Sequence, residues 1–116
     1  FLSPAAVREG SNHVYYLYPI KFNQKKISIS RNQFVEALVA EGMPAANYVR
    51  PLNTLPLYSK RNGEHFSYNL GNLPVVKDLW ENSMIVTPIC RPPLKRKHID
   101  EFVAAIDKIV SNIGSF

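Results

Sequence analysis

Apolar positions along this chain change their spacing several times, and each change marks an element. Residues 1–12, ending in Glu9-Gly10-Ser11-Asn12, hold no sustained period and read as a lead-in segment or linker. From His13 the chain turns β-branched and aromatic. Val14, Tyr16, Tyr18, Ile20 and Phe22 alternate with the residues between them, which predicts a strand with that set on one face. Pro19 has no N–H to give a ladder, so an edge side or a bulge is expected there. After a polar turn at Asn23 to Lys26, Ser30 is followed three residues later by Gln33, the capping-box spacing that satisfies two orphan amides at a helix start. The helix is expected to run to Glu41, with Phe34, Val35, Leu38 and Val39 as its apolar stripe and Gly42 in the left-handed position that stops it.

Residues 43–72 are broken by Pro51, Pro56 and Gly63 and read as a strand fragment followed by an extended loop, the kind of long connection that more often serves a function than not. Pro74 suits the first turn of a short helix reaching about Asn82. Met84 to Ile89 reads as a further strand, ended by Arg91-Pro92-Pro93. Ile99, Phe102, Val103, Ile106, Ile109, Val110 and Ile113 share one face at helical spacing and predict a closing helix, ended by Gly114. Strands and helices alternate as β-α-β-α-β-α. The fold class predicted is α/β, a small layered sandwich with helices packed on one face of a short sheet. Residues 13–116 form its single domain.

The 116 residues, 46% of them hydrophobic and 20% charged, suit one core and leave little room for a second. Fourteen Lys and Arg against nine Asp and Glu give a net charge of +5. Arg91, Lys95, Arg96 and Lys97 supply four of those cations within eight residues, so the basic character is local. A surface basic all over, as a dedicated nucleic-acid binder carries, is not what this composition describes. The single cysteine, Cys90, has no internal disulfide partner, and no Cys/His group has zinc spacing. A reducing, cytoplasmic setting and a metal-free fold are expected. No run of about 18 apolar residues spans a membrane, and the start of the chain lacks both the basic-then-apolar order of a signal peptide and an initiator Met. The chain therefore reads as a piece of something longer.

Few residues advertise chemistry. Cys90 with His13, His65 and His98 raises the idea of a nucleophile and its base, but Cys90 ends a strand beside two prolines and reads as an inert, partly buried thiol. His13 reads as a structural histidine and His98 as part of a solvated helix start. The stretch Arg91 to His98 reads either as a charged, solvated surface or as a site for an anion or acidic partner. Three cations in a first helical turn oppose the helix dipole unless a negative group is near. No Gly-rich phosphate loop, paired catalytic carboxylates or Ser-His-Asp arrangement is present.

The chain does resemble a known family, the DegT/DnrJ/StrS-type sugar aminotransferases, and specifically their C-terminal domain. The resemblance runs from about His13 to Asn112. It rests on His13-Val14-Tyr15-Tyr16-Leu17-Tyr18, Ser30-Arg31-Asn32-Gln33-Phe34, Ala40-Glu41-Gly42-Met43, the segment Tyr48-Val49-Arg50-Pro51-Leu52-Asn53-Thr54-Leu55-Pro56-Leu57-Tyr58, and Leu73-Pro74-Val75-Val76 with Pro88 and the helix from Lys97, in that order. The order and spacing carry it, since each piece alone is weakly specific.

The resemblance implies the small C-terminal domain of a fold-type-I, aspartate-aminotransferase-like enzyme that uses pyridoxal phosphate. Such an enzyme transfers an amino group from glutamate or glutamine to a keto-sugar nucleotide or keto-cyclitol, and works as a homodimer. The cofactor and its lysine belong to the large N-terminal domain in that family, and nothing here matches that lysine's surroundings. The isolated chain is therefore expected to be inactive. Through the loop from Asn47 to Asn53 it would supply one wall of the substrate cleft. Asn47, Tyr48, Arg50 and Asn53 are the substrate-binding candidates. Asn47 and Asn53 stand where many members have histidines, and Arg50-Pro51-Leu52-Asn53 is closer to members acting on keto-cyclitols. Arg50 suits a bidentate carboxylate or phosphate, and Tyr48 and Asn53 suit sugar hydroxyls; surface and loop-bracing roles remain open for all three. Neither nucleic acid nor membrane is an expected partner on this reading. The alternative is a freestanding α/β module that uses residues 91–98 to bind an acidic partner or nucleic acid.

Overall fold

The structure, a computed structural model, describes residues 1–56 and 73–115. Its centre is a three-stranded antiparallel sheet in the order β1 (Leu2–Pro4), β2 (Tyr18–Phe22) and β3 (Met84–Thr87). Helix α1 (Arg31–Ala40) follows β2, the short α2 (Pro74–Asp78) precedes β3, and α3 (Arg96–Ser111) closes the chain. A small mixed α/β domain results, with helices packed alongside the sheet.

Cross-strand pairing explains which face is buried. Ile20 lies opposite Ile85 and Tyr18 opposite Thr87, so these residues and Phe22 point to the same side. There they meet Phe34 and Leu38 of α1 and Phe102, Ala105 and Ile109 of α3 in one apolar cluster. Thr87, fully buried, keeps its hydroxyl oxygen occupied by accepting from the Ile89 N–H at 3.3 Å.

Helix α1 begins and ends as its residues dictate. The Gln33 N–H donates to Ser30 Oγ at 3.2 Å, and the Ser30 N–H donates to Gln33 Oε1 at 2.9 Å, closing the capping box in both directions. At the other end Gly42 adopts φ +78°, its N–H donates to the Val39 carbonyl at 2.9 Å, and the Met43 N–H donates to the Leu38 carbonyl at 2.9 Å. This is the paired Schellman arrangement, which a Cβ at Gly42 would strain. Ser30→Ala removes the acceptor for the Gln33 amide and is expected to cost about 1 kcal/mol in urea unfolding. A loss below a few tenths would mean water replaces the cap.

Several expectations change. Leu2–Pro4, inside the segment read as a lead-in, is an edge strand, because Phe1 and Leu2 carry apolar side chains that pack against the core. The strand expected from Val14 begins only at Tyr18. Tyr15 has φ +39°, its N–H donates to His13 Nδ1 at 2.9 Å, and the His13 and Tyr15 rings stack at 4.2 Å. With no partner strand opposite 14–17 among the described residues, local ring stacking wins over extension, and Val14 and Tyr16 lie exposed.

Pro19 sits in the central strand, and the open side expected there is present locally. Val86, opposite it, turns both backbone groups away, exchanging 3.0 Å hydrogen bonds with Ala46, so the Pro19–Val86 pair needs no bond between β2 and β3. The nitrogen of Pro19 faces past the end of β1, whose last residue pairs with Ile20. The missing N–H is therefore lost to no partner. In β3 the ladder stops at Thr87 instead of Ile89, and the 74–82 helix is α2 continued by a π-type turn over Leu79–Ser83.

Candidate functional site

Ala46 holds the start of the candidate loop by bridging to Val86, which sets the residues after it beside β3. Asn47 then reaches α1, its Nδ2 donating to Asn32 Oδ1 at 3.0 Å. Tyr48 is exposed. Arg50 Nε donates to Thr54 Oγ1 at 3.0 Å, and the Thr54 hydroxyl donates to the Pro51 carbonyl at 2.7 Å. Arg50 is thus fastened to the 3-10 turn Leu52–Thr54 that carries Asn53. Only the Nε proton is used in that bond, and a guanidinium has four further donors on its terminal nitrogens. Asn47 and Arg50 each lie in a defined polar contact, Arg50 and Asn53 share one turn, and Tyr48 stands between them on the surface. The loop's continuation, with Leu57-Tyr58 and His65, lies outside the described residues.

Two neighbours of this loop escaped the sequence reading: Asn32, which orients Asn47, and Thr54, which orients Arg50. A further omission is Arg31, 3% exposed beneath the start of α1. Its Nη1 donates to the Met84 carbonyl at 2.7 Å, and its Nη2 to the carbonyls of Trp80 and Glu81 at 2.7 and 2.9 Å. Burial pushes its pKa down from the ordinary arginine value. One signal pointed to it: positions 31, 34, 35 and 38 share a helical face, so the arginine lies on the buried stripe.

Elsewhere the chemistry is distributed differently from expectation. Cys90 is exposed instead of partly buried, because the strand ends before it and a turn closed by Arg91 N–H to the Pro88 carbonyl (2.9 Å) carries it outward. It lines an apolar groove of about 370 Å³ between the sheet edge and α3, bordered by Leu2, Tyr18, Ile99, Phe102, Val103 and Ile106. Burial, then Tyr15 and Cys90 nearby, hold the Tyr18 phenol above its ordinary pKa of 10.0, so it stays neutral. Arg91 is committed to Tyr16: its Nε donates to the Tyr16 carbonyl at 2.6 Å and its guanidinium lies 4.0 Å from the ring centre. His98 is part of a helix cap, its Nδ1 accepting from the Lys95 N–H at 2.9 Å. None of Asn47, Tyr48, Arg50 and Asn53 borders the apolar groove.

No family model matches the chain. The uncharacterized protein MJ1066 of Methanocaldococcus jannaschii is similar, 29% identical over 105 residues that cover 90% of this chain. Those residues amount to 26% of MJ1066, so the chain spans about a quarter of that relative's length.

Among the described residues, no group of three or more His, Cys, Asp and Glu side chains is placed to hold a metal ion, and no helix is long and apolar enough to cross a membrane. Pyridoxal phosphate needs an enclosed lysine. Lys21, Lys25, Lys26, Lys77, Lys95, Lys97 and Lys108 are all exposed. The described residues do not fit a site for that cofactor.

Proposed function

We propose that this chain is the substrate-side C-terminal domain of a pyridoxal-phosphate aminotransferase of the DegT/DnrJ/StrS type, acting on a keto-sugar nucleotide or keto-cyclitol with glutamate or glutamine as donor. The observation that carries the reading is the ordered resemblance from His13 to Asn112. Its central segment coincides with the loop in which Asn47, Arg50 and Asn53 are braced and Tyr48 is exposed. The greater length of MJ1066, of which the matched residues are 26%, supports it, since a domain of this kind works only as part of a longer protein. On this reading the cofactor is held by a large domain outside the chain. The fold-type-I architecture, the homodimer and the cytoplasmic setting belong to the same proposal.

The role of this chain would be recognition. A guanidinium already oriented by Thr54 loses less ordering entropy on meeting a carboxylate or phosphate than a free surface arginine does. In the full-length protein, Arg50→Ala is expected to raise KM for the acceptor about tenfold or more, the loss of a charge-assisted contact, while leaving the amount of bound cofactor unchanged. Arg50→Lys should recover only part of it. Steady-state kinetics with a panel of keto-sugar nucleotides and keto-cyclitols, read beside cofactor absorbance, is the measurement. A full-length protein with no cofactor-bearing lysine domain, or with no amino transfer to any acceptor in the panel, sinks the reading.

A further inference from the structure

We infer that His13 and His98 form a proton-operated latch on the segment 13–17 and the first turn of α3, closed while both imidazoles are neutral and released when they are protonated. The inference stands apart from the aminotransferase reading and uses none of that reading's loop residues.

Both rings make the same contact in different elements. His13 Nδ1 accepts from the Tyr15 N–H at 2.9 Å, and His98 Nδ1 accepts from the Lys95 N–H at 2.9 Å. A backbone N–H can only donate, so each Nδ1 must be free of a proton and each ring neutral, with its proton on Nε2. Imidazole is the side chain whose charge ordinarily changes between about pH 5 and 8, so mild acid removes both acceptors.

Each bond holds backbone that does not hold itself. Tyr15, at φ +39°, is a bulky residue in left-handed backbone, and the bond to His13 with the ring stacking at 4.2 Å offsets that strain. Once Nδ1 carries a proton, the Tyr15 N–H meets another N–H, and residues 13–17 are free to leave the turn. At α3, His98 closes the helix start on Lys95, in a first turn that contains Arg96 and Lys97 and no acidic residue. Protonation there adds a further cation at the positive end of the helix dipole. The same Nδ1 stands 3.3 Å from the Lys95 carbonyl, which accepts from a protonated ring, so the side chain has a second arrangement to move to.

Among the described residues neither imidazole is paired with a carboxylate, so no ion pair rewards the protonated ring for staying in place. The charged groups around His98 are Lys95, Arg96 and Lys97 beside it, Asp100 and Glu101 further along α3, and Arg91 in the preceding turn. Of the two carboxylates, Glu101 is engaged by Lys97 at 3.6 Å. Beside His13 stand the phenols of Tyr15 and Tyr18, with Cys90 near Tyr18, and Arg91, whose Nε donates to the Tyr16 carbonyl at 2.6 Å. Arg91 thus ties the two segments together. Tyr18, Cys90 and Ile99 line one apolar groove, so both histidines act at its rim.

The test is an NMR titration of the 116-residue chain from about pH 8 to 5. The amide resonances of Tyr15 and Lys95 are expected to follow the titration of the His13 and His98 ring protons. Protection of both amides from hydrogen exchange, corrected for the intrinsic effect of pH, should fall about fivefold, the loss of one hydrogen bond. His13→Asn keeps an acceptor two residues before the same amide but gains no proton, and should abolish the response at Tyr15 alone. His98→Gln keeps the capping-box acceptor and should abolish the response at Lys95 alone. The amides of Ile20 and Ile85, buried in the sheet, should hold still throughout and report an intact fold. Tyr15 and Lys95 amides that ignore the ring titrations, that still respond in the Asn and Gln variants, or that change only together with Ile20 and Ile85 would overturn the inference. So would a response confined to one of the two histidines.

Discussion

Phe34→Ala is expected to destabilise the domain by about 4 kcal/mol, a larger loss than any other single substitution proposed for this chain. Phe34 is 0% exposed and sits where α1 meets the sheet. Its ring packs edge-on against Phe1 at 5.4 Å and tilted against Phe22 at 5.6 Å, and Phe1 is itself edge-on to Phe22 at 5.8 Å. Removing this buried ring opens a cavity that helix and sheet, each fixed by its own backbone bonds, cannot close. At roughly 4–8 °C per kcal/mol for a domain near this size, the melting temperature should fall by about 15 °C or more. Urea unfolding followed by far-UV circular dichroism measures it. A loss under about 2 kcal/mol would mean that Phe1, at the edge, collapses into the space.

Arg31→Met should cost about 3 kcal/mol for a different reason. The carbonyls of Trp80, Glu81 and Met84 lie at the end of the helical segment 74–83, where no further helical N–H is available to them. One guanidinium serves all three, and a cation is favoured at that end of a helix. Bonds from a charged donor contribute about 1.5–3 kcal/mol each, and water entering the gap recovers part of the sum. Methionine fills much of the same volume, so the loss reports the bonds more than the packing. Arg31→Lys keeps the charge but replaces a planar fork by a single ammonium, and should recover less than half. The fluorescence of Trp80, whose own carbonyl is one of the acceptors, gives a local readout beside global unfolding. If the methionine variant unfolds within about 1 kcal/mol of the parent chain, the carbonyls do not depend on Arg31.

The two changes also separate scaffold from site. Arg31 ties the first turn of α1 to the entrance of β3, and its neighbour Asn32 positions Asn47 while β3 positions Ala46. Loss of Arg31 should therefore loosen the candidate loop as well as the fold. Phe34→Ala, whose ring contacts lie in the core against Phe1 and Phe22, should affect stability first.

Helix α1 was legible almost to the residue, because Ser30, Gln33 and Gly42 act on backbone groups within four positions of themselves. The stripe of α3 was legible for the same reason, whereas Asn47, Tyr48, Arg50 and Asn53 were named through the resemblance alone. Hydrogen bonds that bridge distant positions were not. Arg31 to Trp80, Asn47 to Asn32 and Arg91 to Tyr16 join residues 49, 15 and 75 positions apart, and no local spacing encodes them.

Sequence alone therefore determined the elements whose signals are short-range: the capped helix and the amphipathic closing helix. Tertiary structure decided where strands start, because a strand needs a partner to satisfy its backbone. Thus Leu2–Pro4 is a strand opposite Ile20–Phe22, whereas the more β-prone stretch 14–17, with nothing opposite it among the described residues, is not. It also decided how much of α3 stays uncovered, since that depends on what the rest of the chain brings to its face.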